Sequence, residues 1–241
     1  MINIRNVTKI YGGTKKAVDN LSITIEDGQI LAYIGPNGAG KSTTLKMMTG
    51  IISSTEGSIT INGFDIAKEP LEAKKQFGFV PDNPDMFLRL KGVEYLNFMA
   101  DIYDVPEDIR NERIKRYAEK FEMTNALGDK ILSYSHGMRQ KIVLMGALVH
   151  NPSVWILDEP LTGLDPKSSY ALKEMMKEHA AAGNTVIFST HVLEVAEKLC
   201  DKVAIINNGA LVFNGTLEEL KQGNEGSLEE IFLRMTGGMD Q

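Results

Sequence analysis

The nine residues "GPNGAGKST", 35 to 43, constrain this chain more than any other stretch. They match G-x-x-x-x-G-K-[ST], follow the apolar run "ILAYI" and open the helical pattern "TTLKMMTG", so they read as the loop of a strand-loop-helix unit. The glycines let the backbone curl until successive N–H groups point inward, and the positive end of the following helix lies behind them. Gly35, Pro36, Asn37, Gly38, Ala39, Gly40, Lys41, Ser42 and Thr43 therefore form a cradle for phosphate oxygens. Lys41 is placed to reach β- and γ-phosphates and Ser42 to bind Mg²⁺, which makes a nucleoside triphosphate the expected ligand.

Other apolar runs bounded by turn residues are "SVWILDEP" at 153 to 160, "NTVIFST" at 184 to 190 and "KVAIIN" at 202 to 207. Like "QILAYIG" at 29 to 35, they are apolar without alternation, as strands buried on both faces of a parallel sheet must be. Helix-length patterns lie between them, such as "PKSSYALKEMMKEHAAAG", with proline near its start and Gly183 at its end. Alternating strand and helix predicts an α/β fold. Near the N-terminus "INIRNVTKIY", "LSITIEDG" and "GSITING" alternate instead, which predicts an antiparallel β layer beside the parallel sheet. From about 86 to 150 the pattern is helical only, with Val93, Leu96 and Ala100 on one helical face and Met138, Ile142, Met145 and Val149 on another. The expected organisation is thus one domain, with a core from 1–85 and 151–220, an inserted α-helical subdomain at 86–150, and a tail at 221–241. In the tail, "KQGNEGS" reads as a linker to the amphipathic helix "LEEIFLRM".

Composition narrows the partners. No apolar run approaches the roughly 20 residues of a membrane-spanning helix, and the N-terminus lacks the pattern of a signal peptide, so any membrane contact is expected to be peripheral. Cys200 is the single cysteine, which excludes an internal disulfide and a thiolate zinc site and suits a reducing cytosol. A net charge of −6 argues against a nucleic-acid partner, which needs a clustered basic face.

A phosphate cradle needs carboxylates at the end of a buried strand, and "VWILDEP" supplies two. Asp158 is placed to hold Mg²⁺ and Glu159 to polarise an attacking water. A GTPase would carry an N-K-x-D element to read the base, and none is present. A small-molecule kinase would exclude water, whereas Glu159 offers a base for it.

"SYSHGMRQK", 133 to 141, sets a serine beside a histidine. Adjacent residues at a helix start point apart, so this is no Ser–His hydrolase pair, and Arg139 and Lys141 read equally as a solvated first turn. Together with the phosphate loop and the acidic strand end, the stretch resembles the nucleotide-binding subunit of ATP-binding cassette (ABC) transporters, over nearly the whole chain. The family's L-S-G-G-Q falls on Tyr134, Ser135, His136, Gly137 and Met138, and the form Y-S-x-G-M-x-Q-[KR] is most similar to an exporter-like subgroup. The resemblance implies a P-loop NTPase (RecA-like) core, ATP and Mg²⁺ as ligands, and two subunits paired head to tail, identical or not. Ser135 and Gly137 would then meet the γ-phosphate of ATP held by the other subunit.

Further positions follow from the same resemblance. Tyr11 matches the aromatic that stacks on adenine, with a plain strand-end tyrosine as the alternative. Asp165, in "LTGLD", matches the loop between subunits, and His191, after "TVIFST", matches the switch histidine at the γ-phosphate. Asp82 stands where the family has glutamine, a metal candidate or a loop acid. The implied function is an ATPase that powers a separate integral membrane permease, for export, from the cytoplasmic face of the membrane. The segment from Phe87 to Tyr103, with its apolar start, is the expected permease groove. The alternative under the same resemblance is a non-transport ABC ATPase acting on ribosomes or DNA.

One expectation needs only the phosphate loop. Lys41→Ala removes the cation that faces several phosphate charges, and should weaken ATP binding by roughly 10²-fold or more in calorimetry. Unchanged affinity would reject the cradle.

Overall fold

The four unalternating runs become neighbours in one sheet. A computed structural model of the chain describes residues 1–222 and 227–237. Strands β3 (Ile30–Ile34), β6 (Phe77–Val80), β7 (Val154–Leu157), β8 (Thr185–Thr190), β9 (Lys202–Asn207) and β10 (Ala210–Gly215) form a six-stranded sheet in the order β10-β9-β3-β8-β7-β6. All neighbours are parallel except the β9–β10 hairpin at one edge. Successive side chains leave opposite faces of a strand. Thus Leu31 and Tyr33 enter one apolar core while Ile30, Ala32 and Ile34 enter another.

The first core lies under a second sheet. Strands β1 (Ile2–Tyr11), β2 (Lys15–Ile25), β4 (Glu56–Ile61) and β5 (Phe64–Asp65) pair antiparallel in the order β2-β1-β4-β5. Their register aligns Ile25, Ile2 and Ile61 in one row and Ile23, Ile4 and Ile59 in the next, an isoleucine face turned to the core. Helix α1 (Lys41–Met48) packs in the same core, burying Leu45, Met47 and Met48. Helix α2 (Pro70–Lys75) leads into β6.

Helices cover the other face. Between β6 and β7 the chain forms α3 (Gly92–Ile102), α4 (Glu107–Lys120) and α5 (His136–Leu148), with two 3₁₀ turns and a lone bridge between Lys91 and Lys130. Helix α5 differs from its sequence pattern: every residue from Gln140 to Leu148 is buried, not one face alone. It touches α3, α4 and β6, so no side remains for solvent. On α3 the buried aromatic is Tyr95, and its ring fills the space over Gly146, where a Cβ would come within 2.6 Å. Helices α6 (Pro166–Ala181), α7 (Leu193–Leu199), α8 (Leu217–Lys221) and α9 (Leu228–Thr236) complete the layer. Helix α8 crosses position 220, and the linker expected at 221 to 227 falls mostly on 223–226, outside the described residues, as does the end of the tail, 238–241. No helix among the described residues is long and apolar enough to cross a membrane.

One aromatic contact fastens the inserted helices to the sheet. The rings of Tyr103, just after α3, and His150, just after α5, stack 3.6 Å apart and 5° from parallel. His150 Nε2 lies 3.3 Å from the Phe77 carbonyl oxygen at the start of β6. Burial, assisted by Arg113, pushes the His150 pKa down to about 4 against the pull of that carbonyl. An unfolded chain takes up this proton near pH 6.5 and the folded chain only near 4, so stability is full above that window and falls as pH drops through it. The loss is on the order of 2–3 kcal/mol. His150→Phe keeps a stacking ring and should shrink the difference in urea midpoint between about pH 7.5 and about pH 5; an unchanged difference would assign it to other groups.

Candidate active site

The C-terminal ends of β3, β6 and β7 converge on one cleft of about 620 Å³, with that of β8 alongside. Beyond β3 the chain enters the loop 35–40, where positive φ calls for glycine twice. Gly38 has φ +81°, and at Gly40, with φ +109°, a Cβ would overlap the Ala17 carbonyl oxygen. Lys41 begins α1 and is only 7% exposed. Its ammonium donates to the carbonyl oxygens of Gly35 at 2.7 Å and Pro36 at 3.3 Å, and lies 3.9 Å from Glu159 Oε1. Burial lowers the Lys41 pKa, while Glu159 and Asp158 oppose the shift.

Asp158 and Glu159 follow β7. The Asp158 N–H donates to the Val80 carbonyl at 2.8 Å, which extends the parallel ladder one residue past the strand and fixes both acids at its end. Ser189, on β8, joins them: its hydroxyl donates to Asp158 Oδ1 at 2.6 Å and accepts from the Glu159 N–H at 2.9 Å. Asp158 Oδ2 has no hydrogen-bond partner among the described residues. Glu159 has φ +48°, a left-handed conformation rare for a residue with a side chain and common where function imposes it. Its carboxylate lies 3.1 Å from His191 Nδ1 through either oxygen. Lys41, Glu159 and His191 thus form one continuous cation–carboxylate–imidazole row.

Most of the positions singled out in the sequence meet here. Tyr11, Asn37, Gly38, Gly40, Lys41, Ser42, Thr43, Asp82 and Glu159 wall the cleft, with Asp158 buried behind it. Ser135, Gly137 and Asp165 do not. Ser135 caps α5, its hydroxyl accepting from the Met138 N–H at 3.3 Å, and no hydrogen bond joins it to His136. The His136 ring packs against Gly163, and a Cβ on Gly137 would come 2.7 Å from the Gly163 carbonyl oxygen. Asp165 caps α6 by accepting from the N–H and hydroxyl of Ser168, and it pairs with Lys141 at 2.9 Å. The Ser168 bonds, then Lys141, hold its carboxyl well below the usual carboxylate range. Gln140 also reaches this loop, donating to the Pro160 carbonyl at 3.4 Å.

Some of the wall escapes a reading of the sequence. Lys15, Lys16 and Ala17 of β2 line the cleft, as do Asn208 and Gly209. The last two form the two-residue turn between β9 and β10, both at positive φ, and "NG" between apolar runs announces such a hairpin without saying what it faces. Ser189 carries no local signal except its place two residues before His191.

The ABC transporter family model matches residues 18–162, more than half of the chain. The ABC-type transporter ATP-binding protein EcsA of Bacillus subtilis (strain 168) is 34% identical over 240 residues, 98% of this chain and 97% of that protein. The ABC transporter ATP-binding protein NatA of the same organism is 32% identical, covering 97% of each. Among solved structures, an ATP-binding subunit of an ABC transporter superposes with a TM-score of 0.93 at 31% identity, over 98% of this chain and 99% of the other. The ATP-binding cassette MJ0796, in a dimeric post-hydrolysis state bound to ADP and Pi, superposes with a TM-score of 0.81 at 25% identity, over 90% of this chain and 99% of the other. Fold, cleft and relatives agree, and the chain belongs to the ABC transporter family as an ATP-binding, ATP-hydrolysing subunit.

Proposed function

We propose that the Lys41–Glu159–His191 row is the hydrolytic centre, with ATP laid along the loop 35–43 and its adenine against Tyr11. The row carries the reading, since it sets a desolvated cation and a carboxylate 3.9 Å apart at the mouth of a phosphate cradle. Lys41 balances charge on the β- and γ-phosphates. Glu159, held in its strained backbone by Ser189, orients and polarises the attacking water, and His191 keeps the carboxylate in place and faces the γ-phosphate. The residues suit a small hard cation: the Ser42 hydroxyl lies at the cleft and Asp158 Oδ2 has no protein partner among the described residues, all oxygen donors. Ser42, Asp158 and, as a second carboxylate, Asp82 would hold Mg²⁺, which when bound neutralises β- and γ-phosphate charge.

Ser135 and Gly137 begin a 13-residue helix with exposed anion-binding features, yet they lie off the cleft of their own chain. In the proposed head-to-tail pair they and Asp165 complete the ATP site of the other subunit. The dimeric form of the related cassette MJ0796 supports this. The power stroke is delivered to a membrane permease in a separate chain, at the cytoplasmic face of the cell membrane. Support comes from the related CbiO1 of Clostridium perfringens, part of the transporter complex CbiONQ, and from an apolar hollow of about 440 Å³ that starts at Phe87. There Phe87 and Phe98 are each 43% exposed with rings 5.6 Å apart, an apolar patch that favours a membrane partner over ribosome or DNA. The sequence form Y-S-x-G-M supports export.

Glu159→Gln preserves shape and should keep ATP binding while slowing hydrolysis by roughly 10²- to 10⁴-fold. Trapped ATP should then hold two subunits together by mass action, so the variant should elute as a dimer with Mg-ATP while the parent elutes mainly as a monomer. An ATP-loaded variant that stays monomeric would reject the head-to-tail site. Ser189→Ala frees Asp158 Oδ1 and the Glu159 N–H, and should lower kcat about 10-fold with KM for ATP within about 3-fold. An equal rise in KM would make Ser189 a binding residue instead.

A further inference from the structure

Tyr11 walls the nucleotide cleft from the last position of β1, with 43% of its surface exposed. The turn beyond it gives the ring no support: at Gly12 and Gly13 even an added Cβ would meet no atom within 4 Å. A side chain so placed can turn among its rotamers, and a ligand that needs one orientation must then overcome the cost of ordering it.

Lys9 removes that freedom. Its ammonium lies 5.2 Å from the centre of the Tyr11 ring, within the range of a cation–π contact. The ring walls the cleft and Lys9 does not, so the face that Lys9 covers is not the one left open to a ligand. Lys9 has no ion pair among the described residues, and its ammonium is tethered by donating to the Ser53 carbonyl oxygen at 2.6 Å. The tether is itself strapped to β1: the Thr55 N–H donates to the Thr8 carbonyl oxygen at 2.8 Å, and the Ile10 N–H donates to the Thr55 hydroxyl at 3.1 Å. Ser53 follows α1, the helix that begins at Lys41, so one short stretch of chain carries both the phosphate cradle and the anchor of the ring.

We propose that Lys9 is a positioning residue for the nucleotide base, its tethered ammonium fixing the plane of the Tyr11 ring and leaving the opposite face for a purine. This rests on the reading that Tyr11 stacks on adenine. The cation also draws the ring's electron density toward itself, which lessens the repulsion between two π faces when a base stacks on the other side.

Binding of Mg-ATP and of Mg-tripolyphosphate, which carries no base, is measured by calorimetry on the parent chain and its variants. Tyr11→Ala should weaken ATP about 10-fold, the scale of one base–aromatic stack. Lys9→Met keeps the stem without the charge and should weaken ATP about 3-fold, while Lys9→Arg should stay within about 1.5-fold of the parent. None of the three should move tripolyphosphate by more than about 1.5-fold, because each acts through the base. Adding Lys9→Met to Tyr11→Ala should cost no further ATP affinity, since the ring through which Lys9 acts is gone. Equal losses of ATP and tripolyphosphate in Lys9→Met would make Lys9 a general counter-charge or a prop for the fold and overturn the proposal. Lys9→Arg as weak as Lys9→Met, or additive losses in the double variant, would overturn it as well. Full ATP affinity in Tyr11→Ala rejects the stacking reading itself, whereas a loss in Tyr11→Ala with none in Lys9→Met rejects the role of Lys9 alone.

Discussion

A parallel sheet can exist only with both faces covered, and this constraint arranges the rest of the molecule. One face takes the antiparallel isoleucine layer and α1, the other takes the helices inserted after β6 and those that follow β7, β8 and β10. With both faces occupied, the ends of the strands are where polar chemistry can meet water. All parallel strands point the same way, so the loop after β3, the acids after β7 and the histidine after β8 arrive at one edge. The cleft is a by-product of how the core is buried.

The site stores unfavourable local choices that the scaffold sustains. Lys41 gives up most of its hydration, and carbonyl oxygens and a carboxylate replace it. Glu159 occupies a backbone region that costs of order 1–3 kcal/mol for a residue with a Cβ. The cost at Glu159 is offset by neighbours that do not themselves wall the cleft. Ser189 holds the backbone of Glu159 and one oxygen of Asp158 with a single hydroxyl, and the β6–β7 ladder continues under Asp158.

Periodicity and spacing reveal most of this architecture. Runs such as "ILAYI" and "VWIL" carry their burial in their composition, and the phosphate loop announces the strand before it and the helix after it. Helix α5 does not, because its full burial depends on α3, α4 and β6 lying around it, and no helical pattern within 136–148 encodes those neighbours. The candidate site divides along the same line. Lys41, Asp158 and Glu159 are legible because each sits within a local motif. Lys15 on β2, Asn208 in the β9–β10 turn and Ser189 on β8 are distant in sequence from these motifs, and pairing that a linear reading does not display brings the first two to the cleft and Ser189 to the two acids. Ser135 and His136, adjacent in sequence but rejected there as a catalytic pair, take separate places: one caps a helix, the other rests on Gly163.

Helix α5 and the loop that follows Glu159 touch in three places, through His136 on Gly163, Gln140 on Pro160 and Lys141 on Asp165. Two of these are polar contacts to a loop whose other end is the carboxylate residue itself, and the third is a ring in contact with a glycine that has no side chain to yield. The assembly has the mechanics of a short stiff linkage. A push on the exposed start of α5 has no slack to be lost in, and the displacement is delivered within a few residues to the backbone of Glu159, whose conformation has the least tolerance for it.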